Sequence, residues 1–455
     1  MPVSTPPEPS ERLLTGWGLT AATRAEVVEP DSVEAVAEAL AGAGPRGALA
    51  RGLGRSYGDA AQNAGGRVVA MAGLDSVSSL DMESGVATVD AGASIEGLVK
   101  ILLPLGLFVP VSPGTWHVTV GGAIAADVHG KNHHRDGSFC EHVLEFELLT
   151  PEGRRVRVTR EEEPELFEAT AGGMGLTGVV LSAKLRLRRV ESGLMTVDRE
   201  RAANLDDAMA RMVERDDEYR YSVAWIDCLA RGGSLGRSVL IRGDHAPAAA
   251  ANGSGPALAP AGGPRLAAPP WVPSGLLRHS TVRIFNEAYF RAAPARETGR
   301  LESLRSFFYP LDAVSGWNRI YGRGGLLQYQ LAVPRRREDA VRHTLERLSA
   351  AGCPSFLAVL KRFGPQRGML SFPLEGWTLA LDVPAALDGL GPLLDGLDEL
   401  VAEAGGRVYL AKDSRLRPDT LAAMYPRLDD WRAIRDRVDP RGVMRSDLSR
   451  RLGLG

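Results

Sequence analysis

The chain has 455 residues, is 44% hydrophobic and 24% charged, and carries a formal net charge of -2. Its length exceeds one ordinary core and implies about two or three domains. The balanced charge, with no long basic or acidic run, argues against a nucleic-acid partner.

The three cysteines, Cys140, Cys228 and Cys353, are far apart and odd in number. That spacing argues against a disulfide framework or a Cys-x-x-Cys zinc site and points to a reducing compartment. The stretch before Trp17 has no basic segment followed by an apolar one, and no run of about 18 apolar residues occurs. A chain that is soluble when made, without an export signal and cytoplasmic by sequence, is expected.

Residues 1–15, rich in Pro, Ser and Glu, read as a flexible arm. A helix over 31–43 can be capped by Asp31 or Ser32 and shows Val33, Val36, Ala37 and Leu40 on one face. A short strand, 47–50, runs into Arg51-Gly52-Leu53-Gly54-Arg55-Ser56-Tyr57-Gly58-Asp59. Strands at 67–71, 77–80 and 86–89 lead to a helix from 94 to about 103. Segment 118–129 carries Gly121 and Gly122 among small residues. Strands 144–150 and 155–159 flank a Pro151-Glu152-Gly153 turn. A helix over 164–170 precedes Gly172-Gly173-Met174-Gly175-Leu176-Thr177-Gly178 and a strand at 179–188. This order is α+β and lacks the strand–helix alternation of a doubly wound sheet.

The second half, from Leu194, reads as an antiparallel sheet with helices on one face. Strands fall at 219–226, 238–242, 326–333, 356–363, 377–383 and 408–412, with helices at 338–351, 386–404 and 418–424. Residues 245–273 are dominated by Ala, Pro and Gly and are expected to form a mobile excursion, either a lid or a spacer. The expected organisation is therefore an arm (1–15), a first domain (16–193), a second domain (194–405) and a segment (406–455) returning to the first.

The Gly52-Leu53-Gly54 loop does not satisfy a dinucleotide G-x-G-x-x-G fingerprint, because Tyr57 occupies the third position and no long helix follows. Taken alone it is a turn or a phosphate cradle, since glycines let backbone N–H groups converge on a diphosphate. Pro113-Gly114-Thr115, Gly121-Gly122 and Gly172–Gly178 add further close approaches of bare main chain.

These segments, in this order, resemble the FAD-binding domain of the vanillyl-alcohol-oxidase and p-cresol-methylhydroxylase (PCMH) class. Within it, five runs are similar to the decaprenylphosphoryl-β-D-ribose 2-oxidase family: Ala50–Asp59, Val120–His134, Trp317-Asn-Arg-Ile-Tyr321, Leu327-Gln-Tyr-Gln330 and Ala411-Lys-Asp-Ser-Arg415. The resemblance runs from about Thr15 to Leu454. It implies a two-domain flavoprotein with a PCMH-type FAD domain and a C-terminal substrate domain.

By that resemblance, Arg51, Gly52, Leu53, Gly54, Arg55, Ser56, Tyr57, Gly58 and Asp59 hold the FAD diphosphate. Gly114, Thr119, Val120, Gly121 and Gly122 line the rest of the cofactor, with Ala126, Asp127, Val128, His129, Val180 and Tyr409. Tyr57, Lys131, Gln328, Gln330, Lys361 and Trp225 face the substrate, and Lys412 and His129 are the catalytic candidates. A buried lysine can act as a base or stabilise a reduced flavin, and an imidazole titrates near neutrality; the sequence does not order the two. Arg55 stands where covalent relatives carry a flavin-linking His, so noncovalent FAD is expected. His129 and His133 are four apart, but Gly130 and Asn132 break a helix and no third ligand is placed, so no metal site is expected.

The resemblance further implies oxidation of the ribose C2 hydroxyl of a polyprenylphosphoryl-β-D-ribose to the 2-keto sugar. That is the first half of an epimerisation that makes the arabinose donor for actinobacterial cell-wall arabinan. An NADH-dependent 2-keto-sugar reductase partner and peripheral contact with the plasma membrane, on its periplasmic face by resemblance, are implied too. Alternatives are an aldonolactone or alditol oxidase using oxygen on a soluble polyol, and a non-catalytic flavin- or lipid-phosphate-binding protein. Two departures bear on substrate identity: Thr378-Leu379-Ala380 replaces the family's Asn-x-Cys, and Phe308-Tyr309 replaces a Tyr-His pair.

Overall fold

The computed structural model describes residues 9–251, 258, 266–269, 272 and 275–455. The first sheet has four strands. Ser10–Thr15 pairs antiparallel with Ala22–Val28, which runs parallel to Arg67–Ala70, itself parallel to Ala48–Arg51. The expected arm is thus corrected over its last six residues. Ser10–Thr15 is an edge strand that packs Leu14 against Ala25, Val27 and Val68 while Leu13 stays exposed, and its pairing with the next strand satisfies part of the backbone. Helix Val33–Ala41 is capped by the Ser32 hydroxyl, which accepts from Ala35 N at 3.3 Å. It buries Val36, Ala39 and Leu40 against Val69 and Met444.

The second sheet has five antiparallel strands in the spatial order Val77–Asp81, Val86–Asp90, Val179–Arg186, Val143–Leu149, Arg155–Thr159. The short helix Val120–Ala125, capped by Thr119, packs on it and puts glycine main chain toward the centre of the molecule.

The third sheet has eight strands, from Arg296–Ser303 at one edge to Arg407–Val408 at the other. Its inner strands Tyr221–Ile226 and Gly376–Pro384 are buried nearly throughout. Helices Leu205–Arg215, Glu338–Ala350 and Leu390–Glu403 pack on the sheet. Side chains alternate across a strand, so Gln328 and Gln330, Val359 and Lys361, and Thr378, Ala380 and Asp382 form rows on the other face. The excursion expected at 245–273 lies mostly outside the described residues.

After Val408 the chain turns back to the first half. Trp431 Nε1 donates to Ala169 O at 3.0 Å, Met444 bridges Ala48 in parallel, and Arg451 grips Asp59 at 2.8 Å. Among the described residues no helix is long and apolar enough to cross a membrane.

Candidate active site

A cavity of about 340 Å³ lies between the glycine-rich loops of the first half and the open face of the eight-stranded sheet. Its first wall is bare main chain. A side-chain carbon added to Gly52 would land on the Thr119 hydroxyl, and one added to Gly58 would strike the Asp413 carbonyl. Gly54 sits at φ +65°, where glycine carries no steric penalty. Loop 52–58 is thus fixed on one side by the Thr119 turn and on the other by the segment holding Lys412; Tyr57 N donates to Ala411 O at 2.9 Å. Met174, Gly175 and Gly178 form a third approach, and Met174 N donates to Ala125 O at 2.8 Å.

Arg55 reaches the same wall with its guanidinium 3.9 Å over Trp17. Its buried Nε lacks a hydrogen-bond partner among the described residues. A long cleft of uncovered backbone next to an under-satisfied cation fits a diphosphate-bridged dinucleotide such as FAD.

The opposite wall is polar and cationic. Lys412 Nζ lies 3.9 Å over the Tyr57 ring. The Gln328 amide donates to the Tyr57 hydroxyl at 3.2 Å and also to the Asp382 carboxylate. The second oxygen of Asp382 is buried without a partner among the described residues. Burial lifts the Asp382 carboxyl above its ordinary range, against the pull of Gln328 and the Lys412 charge. Burial likewise draws the Lys412 ammonium down, opposed by Asp382.

His129 lies between Gln330, 2.9 Å from Nε2, and Lys361 Nζ, 3.1 Å from Nδ1. Burial first, then the Lys361 charge, pushes its pKa well below the usual imidazole value. Gln330 also donates to Thr378 Oγ1 at 3.2 Å, and that hydroxyl donates to Leu331 O at 2.8 Å. Lys131 donates to Phe307 O, with Nζ 4.5 Å above the Phe307 ring. Burial brings both Lys131 and Lys361 down to about 7.

The buried lysines set a stability prediction. Lys361 loses its proton at about 7 in the folded chain, against an ordinary value of 10.5. Between those values the unfolded state binds more protons, so stability rises with pH there and the cost is fully present below 7. Lys131 acts with the same sign. The melting temperature of the flavin-free protein should climb between about pH 7 and 9.5, and Lys361→Met should flatten the climb. A wild-type melting temperature that falls across that window contradicts the assignment.

Of the expected site residues, the cavity brings together Tyr57, His129, Lys131, Gln328, Gln330, Lys361 and Lys412. On the glycine side it gathers Gly52, Leu53, Gly54, Arg55 and Ser56. Gly114, Thr119, Gly121 and Gly122 also line it, as do Ala126, Val128, Val180 and Tyr409.

Six of the expected residues lie outside the cavity lining. Arg51 points away and donates to Ala61 O and Thr15 O at 2.5 and 2.8 Å, tying the loop to the first sheet. The Asp59 carboxylate is occupied by Arg451. Gly58 is pressed onto Asp413 rather than the cavity. Val120 is fully buried core. Asp127, at φ +39°, accepts from Cys140 N, Gln366 and Ser371 and fastens the turn from behind. Trp225 lies outside the lining, its Nε1 donating to Phe356 O at 3.0 Å and its ring 4.6 Å from Tyr289.

Asp382 was missed. Its only sequence signal is a lone carboxylate in an otherwise apolar strand, two residues beyond Ala380 on the same face. Ala380 and Phe308, both in the departures, line the cavity, while the Tyr309 hydroxyl is 2.6 Å from Ser112 Oγ.

Residues 25–159 match the family described as FAD binding domain, and residues 392–452 match the family described as D-arabinono-1,4-lactone oxidase. With the cavity between them, these segments define an FAD-dependent oxidoreductase of CH–OH groups. Decaprenylphosphoryl-beta-D-ribose oxidase of Mycolicibacterium smegmatis is 41% identical, over 98% of each chain. The chain belongs to the family of that oxidase. A Streptomyces coelicolor relative, described as an uncharacterized protein in the mprA 5′ region, is 47% identical over 79% of this chain and 100% of its own. L-galactono-1,4-lactone dehydrogenase 1 of Oryza sativa is 31% identical over 38% of this chain and 30% of its own.

Proposed function

We propose that the chain oxidises the ribose C2 hydroxyl of a polyprenylphosphoryl-β-D-ribose to the 2-keto sugar, using noncovalently held FAD. The observation that carries this reading is the buried lysine set of one cavity, Lys131, Lys361 and Lys412, facing the glycine wall. A neutral lactone or polyol gives such burial no return, whereas a phosphodiester sugar offsets it with charge-assisted contacts.

Bound FAD would supply the two-electron acceptor for the C2 hydrogen. Lys412 takes the hydroxyl proton. Burial favours its neutral amine before the reaction, and the Asp382 charge and the Tyr57 ring face stabilise the ammonium formed. His129 ranks behind it as a base, because both ring nitrogens are engaged and a second charge beside Lys361 is disfavoured. It orients Lys361, which with Lys131 receives the phosphodiester. The keto product passes to a separate NADH-dependent reductase, completing an epimerisation toward an arabinose donor for cell-wall arabinan.

The match of residues 392–452 favours a second reading, an aldonolactone-type oxidase. Anaerobic titration separates the two. Polyprenylphosphoryl ribose should bleach the flavin absorbance while gulonolactone and xylitol leave it unchanged; the reverse pattern rejects the lipid-linked substrate. Acid denaturation should release all of the flavin, as Arg55 offers no attachment atom.

A further inference from the structure

A second cavity, of about 280 Å³, opens behind the Asp127 turn and shares no lining residue with the first. Arg407, Ser371 and Gln366 line it, beside the apolar Leu374 and the exposed Arg367 and Glu375. Ser371 and Gln366 are the side chains that fasten Asp127, so the cavity backs directly onto the turn leading to His129.

The Arg407 charge has no counter-ion among the described residues. Its Nη1 donates to Ser371 O at 2.9 Å, its guanidinium lies 5.2 Å from the Tyr425 ring, and its buried Nε lacks a hydrogen-bond partner. Burial draws its pKa down, and only Tyr425 opposes that pull. The fully buried arginines behave otherwise: Arg242, Arg362 and Arg435 each meet a carboxylate. Arg367 and Glu375 make no ion pair among the described residues either. The lining thus holds two guanidinium groups against one exposed carboxylate. A cation drawn out of water without a partner is costly, and an anion placed beside it returns that cost.

We infer that this cavity binds a small, doubly charged oxyanion between Arg407 and Arg367: a phosphate group, free or on a small organic carrier. Guanidinium groups offer paired N–H donors in the geometry such an anion accepts. The bound anion also acts on the flavin wall. Arg407 holds the Ser371 carbonyl, and the Ser371 hydroxyl and the Gln366 amide hold the Asp127 carboxylate, the latter at 2.9 Å. Val128 and His129, which follow Asp127, line the first cavity. Phe372, which follows Ser371, stacks on Tyr409 of the same lining at 4.6 Å. Pulling Arg407 toward an anion therefore shifts residues that set the isoalloxazine surroundings. The site stands whichever sugar the enzyme oxidises.

The test is the melting temperature of the FAD-loaded protein titrated with inorganic phosphate, against potassium chloride at equal ionic strength. It should rise saturably with phosphate alone, by roughly 2–3 °C at about a hundredfold excess over the dissociation constant. The visible flavin band should shift over the same concentrations. Arg407→Gln should abolish the rise, and Arg367→Glu should weaken binding at least about tenfold. Arg367 is exposed, so its variant tests the site even where Arg407→Gln fails to fold. Lys361→Met should leave the rise intact, which separates this cavity from the lysines of the first. Glycerol phosphate binding more tightly than phosphate assigns an organic carrier, and weaker binding assigns the free ion. A rise that never saturates, or that Arg367→Glu leaves unchanged, is the general stabilising effect of phosphate on burial and overturns the inference. So does the lack of any rise, or a rise that Lys361→Met removes and Arg407→Gln keeps. A saturable, arginine-dependent rise with an unmoved flavin band upholds the site and rejects its link to the turn.

Discussion

Substituting Lys412 by Met should lower substrate-driven flavin reduction by roughly 10³-fold, with FAD still bound, in line with loss of a positioned proton acceptor and charge. Methionine keeps length and apolar bulk over the Tyr57 ring, so the cavity shape survives while the titrating atom is lost. The Lys412 amine is unusual because two effects oppose: burial favours its neutral form and Asp382 favours its charged form. Asp382→Asn removes only the second, so the pH at which activity rises should move down while FAD content stays constant. Stopped-flow reduction across pH and the ratio of visible to ultraviolet absorbance read the two quantities separately. A Lys412→Met rate within about threefold of wild type would remove the lysine from the proposed chemistry.

Gly52→Ala should yield protein that purifies with little or no FAD. The added methyl meets the Thr119 hydroxyl, and that hydroxyl is already used as the acceptor for Gly122 N at 3.2 Å. Either the loop or the Thr119 turn must move, and both belong to the wall assigned to the cofactor. Gly44→Ala provides the control, because its added carbon meets nothing within 4 Å. A yellow Gly52→Ala protein with a wild-type melting temperature would refute the close approach of the two segments.

The glycine runs were legible through their order and spacing together, each being nonspecific alone, and the His129–Lys131 segment through the family resemblance. The geometry of Thr119 against Gly52 was not, since it joins positions far apart in sequence. The side-chain partners of Asp59 and Arg51 were hidden for a related reason: both sit in the glycine loop, but Arg451 and the Thr15 carbonyl are remote in sequence. Asp382 was hidden by its strand, which reads as apolar core until pairing shows which face meets the cavity. Helix His279–Ala292 and strand Arg296–Ser303 escaped because their outer faces carry both apolar and charged groups, which blurs the period that marks a half-buried element. Ser10–Thr15 reads as an arm until its partner strand is in place.

The parallel bridge of Met444 to Ala48, and the clasp of Arg451 on Asp59 and Asp413 at 2.8 and 2.9 Å, join residues 444–451 to the first sheet, to the glycine loop and to the segment holding Lys412. A chain cut before Met444 lacks this buckle, however complete its glycine loops. Truncation before Met444 should therefore behave as a cofactor-retention defect while every lining side chain remains intact.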